Sequence, residues 1–283
     1  MKKMMFVILC FGTVIAFAQQ DTAKPPTFGW THSLIASLTA TQVSYTNWSQ
    51  GGENSLAYGL SLDGKSTNTQ ELIKWVNDYK FAYGQTRLGD QGLRKTDDRI
   101  ELSSLVNYQT GGVVNPYFAA TLKTQFTRGY KYDAGGTSTA VSDFFDPAYL
   151  TQTVGAMYQA SPEVKTRLGV GLREILAPKF ALFYSDDPAT PEVEKSKVDA
   201  GLESVTEINW KIEENILFTS KLELFDAFKH MDQVIVRNDN MLTMKISKYL
   251  VTILELQLIN DRQVNPRTQV RQTLALGFTY MLL

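Results

Sequence analysis

Residues Val164 to Glu174 (V-K-T-R-L-G-V-G-L-R-E) alternate without exception: Val164, Thr166, Leu168, Val170 and Leu172 are interleaved with Lys165, Arg167, Gly169, Gly171 and Arg173. On a helix this order scatters the cations around every face. On a strand of period two it gives one apolar side and one side of cations and glycines. A strand so divided separates two solvents, and the rest of the chain repeats the design about twelve times, the pattern of a transmembrane β-barrel.

The chain begins with a basic start (Lys2, Lys3), an apolar run from Met4 to Phe17 and a small-x-small site at Ala16 to Ala18. These features predict a cleaved secretory signal at residues 1–18. The run is too short for a membrane helix. Cys10, the only cysteine, follows the bulky Val7, Ile8 and Leu9, which does not fit a lipoprotein site, so residues 19–283 can form no disulfide. Lys2 and Lys3 are the only charges before Gln19, so the net charge of −1 becomes −3 without them, and this balance argues against a nucleic-acid partner. After the signal no apolar run is long enough for a helical span. Residues 19–30 read as a polar periplasmic lead and residues 31–283 as one barrel.

The expected strands are 32–45, 55–63, 72–85, 99–109, 117–127, 148–160, 164–174, 198–212, 216–228, 236–246, 250–260 and 270–282. The fold class is therefore all-β, a single antiparallel up-and-down transmembrane barrel of about twelve strands. Connections alternate in length: those near residues 111, 161, 214 and 247 are short, whereas 86–98, 128–147 and 175–197 are long. Short periplasmic turns and long outer loops produce this parity in an even-stranded barrel. Outward aromatics also sort by height. Trp75, Tyr108, Phe118, Tyr158, Trp210, Phe218 and Tyr280 fall near the periplasmic strand ends, as membrane-interface side chains do.

The opposite face is charged. Lys165, Arg167, Arg173, Asp199, Glu203, Glu207, Lys221, Glu223, Arg237, Lys245, Glu255 and Arg271 are expected to line the lumen. If Arg173 faces Asp199, the same register sets Lys165 opposite Glu207 and Gly169 opposite Glu203. Two functions fit such a wall. Paired charges can brace a closed interior, or they can tune a narrow polar passage for small solutes. A remote third is hydrolysis at the outer rim by His230, with Asp226, Asp232, Asp97 and Asp98 as carboxylates; His32 lies at the wrong end. Asp97-Asp98 and Asp186-Asp187 could gather calcium, although acidic loops are usually just solvated. No metal-ligand spacing occurs and no cofactor is called for. The expected partners are outer-membrane lipid and a surface or periplasmic protein.

The segments W-S-Q-G-G-E-N-S-L (Trp48 to Leu56), W-V-N-D-Y-K-F-A-Y-G (Trp75 to Gly84), K-T-D-D-R-I-E-L (Lys95 to Leu102), T-Q-F-T-R-G-Y (Thr124 to Tyr130), F-D-P-A-Y-L (Phe145 to Leu150) and L-T-M-K-I-S-K-Y-L (Leu242 to Leu250) resemble an uncharacterised outer-membrane family of Bacteroidetes, a domain of unknown function. The resemblance implies an outer-membrane barrel. It brings no activity and no catalytic residues. Barrels of this class resemble one another in ending on an aromatic residue, whereas here Met281, Leu282 and Leu283 follow Tyr280, which leaves Phe278 and Tyr280 to serve instead.

Overall fold

The computed structural model describes residues 28–45, 53–133, 137–159, 161–187, 189–229 and 231–281. The expected signal, the Trp48 to Gly52 part of the first family-like segment, and His230 lie outside them.

Twelve strands close into one antiparallel barrel. In chain order they are β1 (Gly29–Val43), β2 (Ser55–Thr69), β3 (Ile73–Leu88), β4 (Arg94–Tyr108), β5 (Val114–Thr124), β8 (Ala148–Gln159), β9 (Val164–Leu176), β10 (Ser196–Glu213), β11 (Ile216–Ala227), β12 (Ile235–Lys245), β13 (Leu250–Asn260) and β14 (Gln269–Met281). Between β5 and β8 a loop hairpin forms from β6 (Gly129–Tyr132) and β7 (Ser138–Ser142), and α1 (Ala181–Tyr184) is a single turn between β9 and β10. β14 returns to β1 through five residue pairs, Ile35 with Met281 to Thr39 with Gly277. This seam is much shorter than the fifteen pairs that join β1 to β2.

Several strands run past the expected ends. β2 continues from Asp63 to Thr69, and β3 and β4 extend over Thr86–Leu88 and Arg94–Asp98, leaving only 89–93 as their connection. Their outward residues there are polar, so alternation of hydrophobicity stops while cross-strand hydrogen bonding goes on. β1 starts at Gly29, inside the stretch read as a lead, because Gly29 and Trp30 pair with Thr69 and Asn68.

The outward face is apolar and uncovered. Leu274 is 72% exposed, Phe278 64%, Val154 62% and Leu168 57%. No helix among the described residues is long and apolar enough to cross a membrane. The inward face is largely polar, with apolar side chains buried at Val205, Phe225 and Val251 and in a cluster of Leu105, Tyr117, Ala119 and Met157 on β4, β5 and β8. Tyr117 lies across a notch cut by glycines: a Cβ on Gly169 would stand 2.8 Å from the Tyr117 hydroxyl, and one on Gly155 only 2.1 Å from the Leu168 carbonyl oxygen. Glycine there permits the close approach of β8 and β9 and makes room for the ring.

Gly155→Val is expected to reduce folding stability by about 3 kcal/mol, the upper end of overpacking costs. Gly92→Ala, whose added methyl meets nothing within 4 Å, should leave it unchanged. Heat-modifiable migration of the refolded barrel on SDS gels, combined with urea titration, measures both.

Candidate functional site

The inward positions of the strands carry charges whose partners lie on other walls. On β4, Arg99 donates to Asp97 at 3.1 Å and to Glu255 of β13 at 3.1 Å. Arg271 of β14 donates to the same two carboxylates, each at 2.9 Å. Two guanidiniums and two carboxylates thus form a closed ring, and the strands it joins are separated along the wall by β3, β2 and β1. The planar fork of arginine suits such shared contacts.

A second chord crosses the widest span. Arg237 of β12 donates to Glu101 of β4 at 2.6 Å and to Asp239 at 2.9 Å. One way around the barrel β3, β2, β1, β14 and β13 lie between these strands, and the other way β5, β8, β9, β10 and β11 do, so the pair is diametric. Lys123 of β5 bonds Glu223 of β11, which also accepts Lys221 at 2.7 Å. Beside these chords lie two cavities that share Lys123, Tyr149 and Arg237, one of about 280 Å³ and one of about 360 Å³.

The β9–β10 register sets Arg173 opposite Asp199, Gly169 opposite Glu203 and Lys165 opposite Glu207. Lys165 and Glu207 pair at 2.7 Å. Arg173, however, reaches away from Asp199 to Asp261 at 3.0 Å, and Asp199 is left with Lys197 at 3.5 Å. Glu203 accepts from Thr153 of β8 at 2.7 Å, over the glycines of β9. Arg167, buried, lies 3.9 Å from Glu207 and 5.7 Å from the Tyr117 ring. Lys245 is exposed at the turn end of β12 and makes no ion pair among the described residues. Asp97, Arg99, Glu101, Lys123 and Asp261 are central to this network and absent from the expected lumen set. Parity in strands 99–109 and 117–127 points Glu101 and Lys123 inward and places Arg99 on the same side as Glu101, whereas Asp97 precedes the apolar alternation and Asp261 lies beyond a strand end.

On the outside, Trp75, Tyr108, Tyr158, Trp210 and Tyr280 are exposed and Phe218 is half-buried, all toward the short-turn rim. Trp75 packs against Trp30 at 5.4 Å, and Trp30 stacks on His32, whose Nδ1 lies 2.9 Å from the Ser66 hydroxyl. His32 is part of this aromatic rim. Asp98 is spent on Lys95 and on Phe126 and Thr127, and Asp186 and Asp187 accept backbone N–H groups. Among the described residues no three acidic, histidine or cysteine side chains could hold a metal ion.

On the long-loop rim, Asp143 accepts Arg128 at 2.9 Å and Lys179 at 3.0 Å. These two cations and the Phe144 N–H hold its carboxyl well below the usual range. A depressed pKa means that the tether is present above the ordinary aspartate value and is lost as pH falls through the lowered one.

Residues 40–130 match the model of a family described as a protein of unknown function (DUF3078). No curated protein matches the chain. Solved structures similar to it include an outer membrane channel from Pseudomonas putida F1, at 10% identity and a TM-score of 0.42 over 91% of this chain and 97% of that one. The NanC porin is similar at 9% identity and a TM-score of 0.38 over 89% of this chain and 100% of that one. The translocator domain of the autotransporter NalP from Neisseria meningitidis is similar at 9% identity and a TM-score of 0.37, over 90% and 89%.

Glu255→Gln leaves Arg99 and Arg271 sharing one carboxylate. It should destabilise the barrel by on the order of 2 kcal/mol in urea unfolding, between the values for exposed and buried pairs. Asp143→Asn should increase proteolytic nicking within residues 125–147 at neutral pH without changing the unfolding midpoint.

Proposed function

We propose that the chain is an outer-membrane β-barrel serving as a narrow polar passage for small hydrophilic solutes, shut in the present arrangement by ion pairs across its lumen. The observation that carries the reading is the diametric Arg237–Glu101 bond, flanked by cavities lined in large part by charged and polar side chains. The apolar outer face and the aromatic rim fit lipid, and the leader read at residues 1–18 fits export. Arg237 and Glu101 each keep about a fifth of their side-chain surface accessible, so water can take over their bonds when the pair parts and the latch can open without unfolding the wall. Catalysis has no part in this reading.

A second reading is favoured by the number of wall-to-wall bonds and by the buried Leu105–Tyr117–Ala119–Met157 cluster: a permanently closed barrel that works through its outer loops and a protein partner. Planar-bilayer recordings separate the two. The passage reading expects discrete steps that grow about twofold in Glu101→Gln, where the diametric bond is lost, and that change size in Lys165→Gln and Glu207→Gln. Silence from wild type and Glu101→Gln alike, with both shown to be folded, overturns it.

A further inference from the structure

The smaller cavity has two kinds of wall. Phe225 of β11, Ile235 of β12, Ile259 of β13 and Val264 of the following loop give it an apolar side, and Tyr149 and Tyr184 add aromatic rings. The other side is charged, and its carboxylates are engaged: Glu223 by Lys123 and Lys221, Asp261 by Arg173, Glu203 by Thr153. Arg237 is likewise held by Glu101 and Asp239. Arg173 differs. One of its terminal nitrogens bonds Asp261, while the other, Nη1, is buried with no partner in the protein. The guanidinium also lies 5.4 Å from the Tyr149 ring. A buried, unpaired donor on a charged group calls for an acceptor.

Access is from the long-loop rim. Tyr184 belongs to the 177–195 connection and Val264 to the 261–268 connection, and Lys197, at the start of β10 just after the first, donates to Gln263 of the second at 2.7 Å. The roof is therefore two loops joined by a few polar contacts.

We infer that this cavity is a binding site for a small amphipathic carboxylate, its carboxyl group bonded to the guanidinium of Arg173 and its hydrocarbon body against Phe225, Ile235, Ile259 and Val264. A volume of about 280 Å³ has room for a single ring with a short acid chain. The site rests on the reading of the lumen as open to solutes from the loop side, and it does not require that solutes cross to the other rim.

The probes are 3-phenylpropionate, 3-phenylpropan-1-ol and 3-phenylpropylamine, titrated calorimetrically into the full barrel refolded in nanodiscs. The acid should bind at least about tenfold more tightly than the alcohol or the amine, as one charge-assisted hydrogen bond implies. Arg173→Gln should remove that preference. Val264→Trp, which fills the apolar end and leaves every charge in place, should abolish binding of the acid. Equal uptake of the three probes, which is partition into lipid, or an Arg173→Gln barrel that binds the acid like wild type, overturns the assignment. If one variant fails to fold, the other variant and the acid-to-amine comparison still decide. A silent bilayer beside intact acid selectivity would remove the passage reading and leave this one standing.

Discussion

A strand placed in hydrocarbon must find a partner for every backbone N–H and C=O, because there is no water to supply one and each unpaired group costs several kcal/mol. An open sheet always leaves two edges. Pairing β14 with β1 joins them into a ring, and every second residue then points at the surroundings and every other one into a confined lumen. The charges of Val164–Leu176 are tolerable only because they share that lumen with opposite charges.

The interior of a twelve-strand barrel is too wide for side chains to fill as an ordinary core and too narrow to leave them all in bulk water. This chain treats its two halves differently. Around Tyr117 the glycines of β8 and β9 draw the walls together and a small apolar cluster fills the space. Elsewhere long arginines, lysines and glutamates reach across, and cavities remain between their contacts. Salt bridges set in cavities can exchange partners, which apolar packing cannot do without opening voids.

The outward pattern was legible in the residues because burial against lipid selects hydrophobicity at every second position. Strand count and the rim of Trp75, Tyr108 and Trp210 could be read that way, and so could the parity of the connections except between β3 and β4, where the strands run on and leave only 89–93. Where the outward residues turn polar, as in Lys65–Thr69 and Arg94–Asp98, the strands continue on hydrogen bonding alone and the sequence carries no mark of it. The register of β9 on β10 could be reasoned from charge complementarity between neighbours. The partner of Arg173 could not, since Asp261 lies beyond the end of β13 and meets Arg173 only through the curvature of the closed wall. Contacts across a lumen depend on which strands lie opposite, a property of the whole ring and of no single segment.

The seam explains why the strongest cluster sits where it does. β14 pairs with β1 only from Gly277 to Met281, while β13 pairs with β14 as far as Gln269, so the stretch of β14 containing Arg271 and Thr273 has hydrogen-bonded support from one side. Arg271 belongs to this half-supported stretch, and it is bonded inward to Asp97 of β4 and to Glu255, which Arg99 of β4 also holds. The four-membered ring of charges therefore ties the free side of β14 to the far wall, a restraint the short ladder does not supply. Loosening these lumen contacts would weaken the seam, so in this barrel the closure of the wall depends on charges that face the lumen as well as on the strand ladder.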